Sequence, residues 1–222
     1  MSFTLAPVAA FLTDLADNNS KEWFDAHRSR YETEWKGPAE DLVAMLAAEM
    51  AALAPPHQAI PRVNKSIRRI NRDVRFSKDK TPYDPKMHLV FWTGDHPTRS
   101  PAIHIVIHPD HVGMGAGHWA MGSDELDKFR AAVAGPAGED LIRIAADCAA
   151  AGFALSEESL KRVPGGYSVA PEKETYLKRK GLVILTQEAT WRHADLMDPA
   201  RRADALPRLA AVNDWLIRHV TG

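Results

Sequence analysis

The chain has 222 residues, of which 45% are apolar and 26% are charged, and its formal net charge is −1 at pH 7. This length suits a single domain with a sizeable core, and the near-zero charge excludes a protein that is basic throughout. The single cysteine, Cys148, excludes an internal disulfide and argues against a cysteine-based metal site. No apolar run approaches the ~20 residues that span a bilayer, and the N-terminus lacks signal-peptide features. We therefore expect no membrane partner and a cytoplasmic location.

The first part of the chain, residues 1–55, predicts helices. NNSKEWFDAHRSRYETEW has Asn19 placed as an N-cap and Glu22 placed to complete a capping box. Trp23, Phe24 and Tyr31 recur at helical spacing and predict a buried face. AEDLVAMLAAEMAAL predicts the next helix, with a proline in its first turn.

Positive charge concentrates in residues 62–85, hereafter the basic segment. Residues 62–80 hold eight Lys or Arg and two Asp, a net of +6, so the rest of the chain sums to −7. Such a local excess within an acidic background indicates a specific role for these cations. The apolar spacing fits either a helix or a strand here, and TPYDP predicts a turn or an extended loop.

The middle of the chain, residues 87–119, predicts antiparallel strands. MHLVFW (87–92) and AIHIVIH (102–108) alternate β-branched and aromatic residues, and HVGMGAGHW (111–119) is a glycine-rich third candidate. Short connections favour an antiparallel meander.

Residues 124–222 predict mainly helices, at SDELDKFRAAVA, EDLIRIAADCAAAG, PEKETYLKRKG and in the tail, where Pro207 is expected to break or restart the helix. LVILT (182–186) predicts one further strand. Together these elements predict an α+β fold in one domain, residues 1–222, with helices packed on a small antiparallel sheet.

Several motifs resemble those of the DUF2461 family. They are FLTDLADNNSKEWFDAHRSRYE, INRDVRFSKDKTPYDP, GMGAGHW, LKRVPGGY and YLKRKG. The resemblance runs nearly end to end and implies no activity, because the family has no established one. It implies that a set of residues belongs to the family pattern: Asn18, Asn19, Trp23, Phe24, Arg72, Asp73, Arg75, Phe76, Ser77, Lys78, Asp79, Lys80, Pro82 and Tyr83. Residues 88–118 are richer in histidine than this pattern, so the resemblance implies no role for those histidines.

RDVRFSKDKTPY predicts an anion-binding site, because so many cations in one stretch repel one another unless acids or a ligand compensate. Arginine pairs with carboxylate or phosphate in two-point fashion, lysine adds a mobile charge and serine adds a donor. The predicted ligand-binding residues are Arg72, Arg75, Ser77, Lys78, Lys80 and Tyr83. Asp73 and Asp79 are candidates for orienting the cations or for acting as a general base.

A second basic cluster flanks the loop Pro164-Gly165-Gly166-Tyr167. Its members are Lys161, Arg162, Lys173, Lys178, Arg179 and Lys180. If this cluster faced the basic segment, the two would form a cleft. The glycine pair itself favours an ordinary turn.

Histidines form another group, since six of the ten fall between His88 and His118. On strands, His104 and His108 share one face, and His88 could meet them from a neighbouring strand. Three imidazoles suit zinc or iron, but HExxH, CxxC and carboxylate-triad spacings are absent. An exposed polar sheet face is the competing interpretation, and the sequence indicates no cofactor.

Three functions compete at this point. The first is a site for a small ligand bearing phosphate or carboxylate, either in a binding protein or in an enzyme. The second is a nucleic-acid-binding module, in which basic residues track a backbone and Phe76 and Tyr83 stack on bases. The third is a scaffold protein whose basic segment is an internal ion-pair network.

Overall fold

The computed structural model describes residues 3–187 and 190–222. It confirms the predicted α+β class, with helices packed on an antiparallel sheet. The helices are α1 (Ala6–Asp17), α2 (Lys21–Ala26), α3 (Arg28–Arg30), α4 (Gly37–Ala51), α5 (Ser123–Ala134), α6 (Ala137–Ala150), α7 (Pro171–Leu177), α8 (His193–Met197) and α9 (Pro199–Leu216). Two π-helical turns, Tyr31–Lys36 and Ile217–Thr221, extend α3 and α9.

The sheet has five strands in the order β1-β2-β3-β5-β4, and each neighbouring pair is antiparallel. The strands are β1 (Met87–Trp92), β2 (Ala102–Ile107), β3 (Val112–His118), β4 (Phe153–Leu155) and β5 (Leu182–Thr186). The first three form the predicted meander, and β5 is the predicted later strand. The three-residue β4 was not predicted, because so short a strand shows no periodicity.

One face of the sheet packs on the helices. Alternation sends Ile103, Ile105 and Ile107 of β2 into the core, where α9 packs against β2 and β3. The opposite face carries His104 of β2 and the glycines of β3, because Met114 and Ala116 take the core side of that strand.

The approach of β3 to β5 requires glycine at Gly117 and at Gly115, where a Cβ would lie 2.6 Å from the Ile184 carbonyl oxygen. Gly117 has a φ of +138°, and a Cβ there would lie 2.0 Å from the Leu182 carbonyl oxygen. An L side chain is strained at that φ and would clash with the partner strand. Gly117 therefore permits the hydrogen bonds by which β3 pairs with β5.

The start of the second helix differs from the prediction. Ser20, not Asn19, is the N-cap, since its side-chain oxygen accepts from the Trp23 N–H at 3.2 Å. The helix also ends at Ala26 and resumes at Arg28. Asn19 is engaged elsewhere, as described below, and so is not available as the cap.

Pro207 lies inside α9 and does not end it. Residues on both sides of the proline, including Ala205, Leu206 and Leu209, are buried in the core. This packing outweighs the local cost of a proline. Within the described residues, no helix is both long and apolar enough to cross a membrane.

Candidate functional site

The basic segment runs without regular secondary structure along the outer edge of β1. Arg68 donates its backbone N–H to the His88 carbonyl at 2.9 Å, and Val90 donates to the Ser66 carbonyl at 2.8 Å. Ile67 forms an isolated bridge with Leu89 and is fully buried. The segment therefore covers a sheet edge that would otherwise expose unpaired backbone groups.

The segment then folds back on itself to form a closed loop. Its base is a bridge between Asn71 and Tyr83, where the Arg72 N–H donates to the Pro82 carbonyl at 2.9 Å. The Asp84 N–H also donates to the Ile70 carbonyl at 2.8 Å. We call residues 72–82 the basic loop.

Tyr83 anchors this loop to the N-terminal helices. Its ring stacks on Phe24, with centroids 4.2 Å apart, and the residue is only 5% exposed. Asn19 accepts from the Tyr83 N–H at 3.1 Å and donates to its carbonyl at 2.9 Å. Tyr83 is thus a structural contact, and its ring does not lie at the surface of the predicted site.

Arg72 lies within a network of acceptors on the same loop. It donates to the Asp79 carboxylate and to the hydroxyl and carbonyl oxygens of Thr81. The Thr81 backbone N–H, Arg72 and the Thr81 hydroxyl together lower the pKa of Asp79 to about 2. Both side chains therefore close the loop, and Asp79 stays ionised at neutral pH.

The other loop cations are held less tightly. Arg75 forms a two-point ion pair with Asp73, with nitrogen–oxygen distances of 2.9 and 2.7 Å, and this pairing lowers the pKa of Asp73. Lys80 donates to the Val74 carbonyl at 2.8 Å. Lys78 is exposed and Ser77 is half-buried.

Phe76 is the most exposed large apolar residue of the described chain, at 95%. The Arg75 guanidinium lies 5.9 Å from the centre of its ring, and the Arg75 side chain is itself 77% exposed. The tip of the loop thus carries an exposed aromatic ring with the Arg75 guanidinium near it. Lys78, two residues further along the chain, is a second exposed cation.

The histidines separate into two pairs. His88 Nε2 and His104 Nδ1 lie 2.9 Å apart. Burial lowers the pKa of His88 to about 3 and that of His104 to about 4, so both rings are neutral at pH 7. His108 instead stacks on His111, with ring centroids 4.2 Å apart.

The structure does not bring the three candidate metal ligands together. His88 and His104 meet, whereas His108 belongs to the other pair. Among the residues that the structure describes, no group of three or more His, Cys, Asp or Glu side chains could hold a metal ion.

Three cations of the second basic cluster bind carbonyl or carboxylate groups of the same chain. Arg179 is buried and donates to the Ser156 carbonyl at 2.9 Å, and Lys173 donates to the Gly135 carbonyl at 3.0 Å. Lys178 lies 3.7 Å from Glu158. A groove of about 670 Å³ beside β5 is lined by Arg179, together with Trp119 and Val183, and by no residue of the basic segment.

Arg68 is a polar residue outside the predicted ligand-binding set. Its side chain is half-buried next to His88 and His104, and burial lowers its pKa. The signal in the sequence is the apolar Ile67 between the polar Ser66 and Arg68, a strand-like alternation that places Arg68 opposite the core.

The chain belongs to the DUF2461 family, described as a conserved hypothetical protein, because the family model matches residues 7–211. This confirms the resemblance drawn from the motifs. No curated protein matches the chain.

Proposed function

We propose that the basic loop binds a ligand that combines phosphate with a nucleobase. The ligand is either a free nucleotide or a unit of single-stranded nucleic acid, since both present the same chemistry. The exposed ring of Phe76 beside the Arg75 guanidinium carries the proposal. An aromatic ring offers a stacking surface to any base, and adjacent cations contact the phosphates.

Hydrogen bonds between residues of the basic loop fix the course of the chain on either side of Phe76. The Arg72 contacts with Asp79 and Thr81 close the loop on one side, and the bond from Lys80 to the Val74 carbonyl spans its tip. A preorganised loop loses less conformational entropy on binding than a flexible one does. The ion pairs within the loop therefore support recognition by its tip and are compatible with the proposal.

The charge around the tip favours an anion. Lys78 and Arg69 are exposed, and Arg69 lies near enough to Asp73 to lower its pKa. Asp73 offsets one of the positive charges, so the tip keeps a net positive potential within an otherwise acidic chain.

The proposal assigns binding and no reaction. The two candidate bases, Asp73 and Asp79, both have lowered pKa values because they accept hydrogen bonds from arginine and from backbone N–H groups. Lowering the pKa of a carboxylate makes it a weaker general base near neutral pH. A cytoplasmic location is part of the proposal, because nucleotides and single strands occur there.

The test is fluorescence anisotropy with a labelled single-stranded oligonucleotide, with unlabelled nucleoside monophosphate and inorganic phosphate as competitors. We expect the affinity for the strand to fall with salt, with a log–log slope of about −0.7 per phosphate contacted. Lys78→Gln should weaken binding, whereas the matched control Lys161→Gln, an exposed lysine of the second cluster, should not.

Competition separates the two sources of the ligand. Displacement of the strand by nucleoside monophosphate at similar concentration indicates a mononucleotide site, whereas displacement only by a longer strand indicates nucleic acid. No binding to either ligand at low salt would refute the proposal and favour a purely structural role for the basic loop.

A further inference from the structure

Three polar side chains outside the basic loop lie on the face of the sheet turned away from the helices. Ile67 and Leu89 bridge one another and are both buried in the core. Their neighbours Arg68 and His88 therefore point to the opposite face, because successive side chains alternate. His104 joins them from β2, 2.9 Å from His88.

The histidine pair presents a fixed set of outward hydrogen-bonding groups. Both rings are neutral at pH 7, because burial and the nearby positive charge of Arg68 lower their pKa values. One ring donates to the other, so a single inter-ring hydrogen bond uses one N–H and one lone pair. Whichever ring donates, the pair keeps one outward N–H and one outward lone pair.

Arg68 lacks a counter-charge within residues 3–187 and 190–222. It is half-buried, burial lowers its pKa, and no described carboxylate lies within 4.0 Å of it. By contrast, the more deeply buried Arg202 is held by Glu49 at 2.7 Å. A partly desolvated charge without a partner costs free energy, which an anion at this position would recover.

The neighbouring strand leaves this face bare of side chains. Gly115 of β3 stands opposite His104 in the sheet register, and Gly113 stands opposite Val106. Lys86 also lowers the pKa of His88, but its ammonium lies 3.5 Å from the Asp84 carboxylate, which offsets its charge. Of the two cations near the histidine rings, Arg68 is therefore the one that has no carboxylate partner among the described residues.

We propose that Arg68, His88 and His104 form a binding site for a singly protonated phosphate group, such as that of a phosphate monoester. The guanidinium fork takes two phosphate oxygens, the outward imidazole N–H donates to a third, and the P–OH donates to the outward imidazole lone pair. A carboxylate has only two oxygens and fills this set incompletely. The site uses none of the basic-loop tip residues, so it stands independently of the function proposed above.

The test measures the melting temperature of the full chain against inorganic phosphate, sulfate and acetate at constant ionic strength and pH 6.5. We expect phosphate to raise the melting temperature saturably, since a ligand that binds only the folded state stabilises it. Arg68→Gln should weaken the apparent affinity for phosphate at least tenfold. Arg62→Gln removes the same charge from an exposed position of the same segment and should leave the affinity unchanged.

The variants also separate binding from folding. Without phosphate, Arg68→Gln should melt at the same temperature as the native chain or higher, because the substitution removes a desolvated charge that has no partner. His104→Asn should weaken phosphate binding, while His96→Asn, at an exposed position, should leave it intact.

Each alternative result has a definite meaning. No stabilisation by phosphate, or an equal response of Arg68→Gln and Arg62→Gln, overturns the site. Equal stabilisation by sulfate, which carries no proton at this pH, overturns the assignment to a protonated phosphate.

Discussion

Asn19 and Tyr83, 64 positions apart in the chain, exchange two hydrogen bonds between the Asn19 side-chain amide and the Tyr83 backbone. Together with the Phe24–Tyr83 stack, this contact fixes the end of the basic segment to the start of α2. It joins two parts of the family pattern, NNSKEWF and KTPY, through one physical interaction. Asn19, Phe24 and Tyr83 therefore share one structural role, which is to attach the basic segment to the N-terminal helices.

Asn19→Ala should destabilise the fold by about 1–3 kcal/mol, because it leaves two partly buried backbone groups of Tyr83 without partners. The matched control is Asn18→Ala, whose amide makes one exposed bond to the Asp14 carbonyl, and it should cost clearly less. Urea denaturation checks both free energies of unfolding. Equal losses would contradict the anchoring role of Asn19.

Arg72 and Arg75 should differ in what they stabilise. Arg72→Gln should cost about 1–2 kcal/mol, because the charge-assisted bonds to Thr81 are lost. Arg75→Gln should leave the unfolding midpoint unchanged, because its ion pair with Asp73 is exposed. Both variants lose one positive charge. The difference between their thermal unfolding midpoints therefore measures what the hydrogen bonds of Arg72 contribute to stability. Strong destabilisation by Arg75→Gln would contradict this division.

Gly117→Ala should destabilise the sheet by about 2 kcal/mol or more, because its Cβ would meet the Leu182 carbonyl and its φ is unfavourable for alanine. Gly113→Ala on the same strand is the control, since its nearest contact is the Val106 Cβ at 3.7 Å. Denaturant titration compares the two. Similar stability of both variants would show that β3 and β5 do not approach as described.

Stability should fall as the pH drops from about 6.5 toward 4. Burial lowers the pKa of His57 to about 4, that of His88 to about 3 and that of His104 to about 4, against an ordinary value of 6.5. A lowered histidine pKa means that the unfolded chain binds more protons in this window, so unfolding becomes easier as protons are added. Above pH 6.5 the three histidines make their full contribution to the free energy of unfolding. The lowered pKa of Asp79 causes a separate loss of stability, which begins only below about pH 4.

The measurement is the free energy of unfolding at a series of pH values. His104→Asn should flatten the slope between pH 6.5 and 4, whereas His96→Asn, at an exposed position, should not. An unchanged slope in His104→Asn would contradict the burial of that ring.

Cys148 should be inert in the folded protein. The residue is fully buried, its thiol contacts the Arg208 carbonyl at 3.5 Å, and burial raises its pKa to about 11. A thiol-specific chromogenic reagent at pH 8 should titrate no thiol in the native chain and one thiol in denaturant. Rapid reaction of the native chain would show that this region of α6 opens.

The fold class could be predicted from the sequence because its periodic patterns are strong. MHLVFW and AIHIVI alternate over six residues each and became β1 and β2. β4 could not be predicted, because a strand of three residues is too short to show an alternation of buried and exposed positions. The capping role expected of Asn19 passed to Ser20, because Asn19 forms a contact with Tyr83 that no local pattern can reveal.

The candidate site could be predicted only in part, for a similar reason. The concentration of charge in residues 62–80 is visible in the sequence, but the partner of each cation is a tertiary property. Arg72 and Arg75 look equivalent in RDVRF, yet one closes the loop and the other lies at its tip. Likewise Phe76 and Tyr83 are both aromatic, but only the ring of Phe76 is exposed.

The most direct test of the proposed function compares Phe76→Tyr and Phe76→Leu for affinity to a short single-stranded oligonucleotide at low salt. Base stacking on an aromatic ring contributes about 1–3 kcal/mol, so Phe76→Leu should bind about 5- to 150-fold more weakly. Phe76→Tyr keeps the ring and should bind within about twofold of the native chain. If Phe76→Leu binds as tightly as the native protein, stacking on Phe76 does not contribute and the account of the basic loop is contradicted.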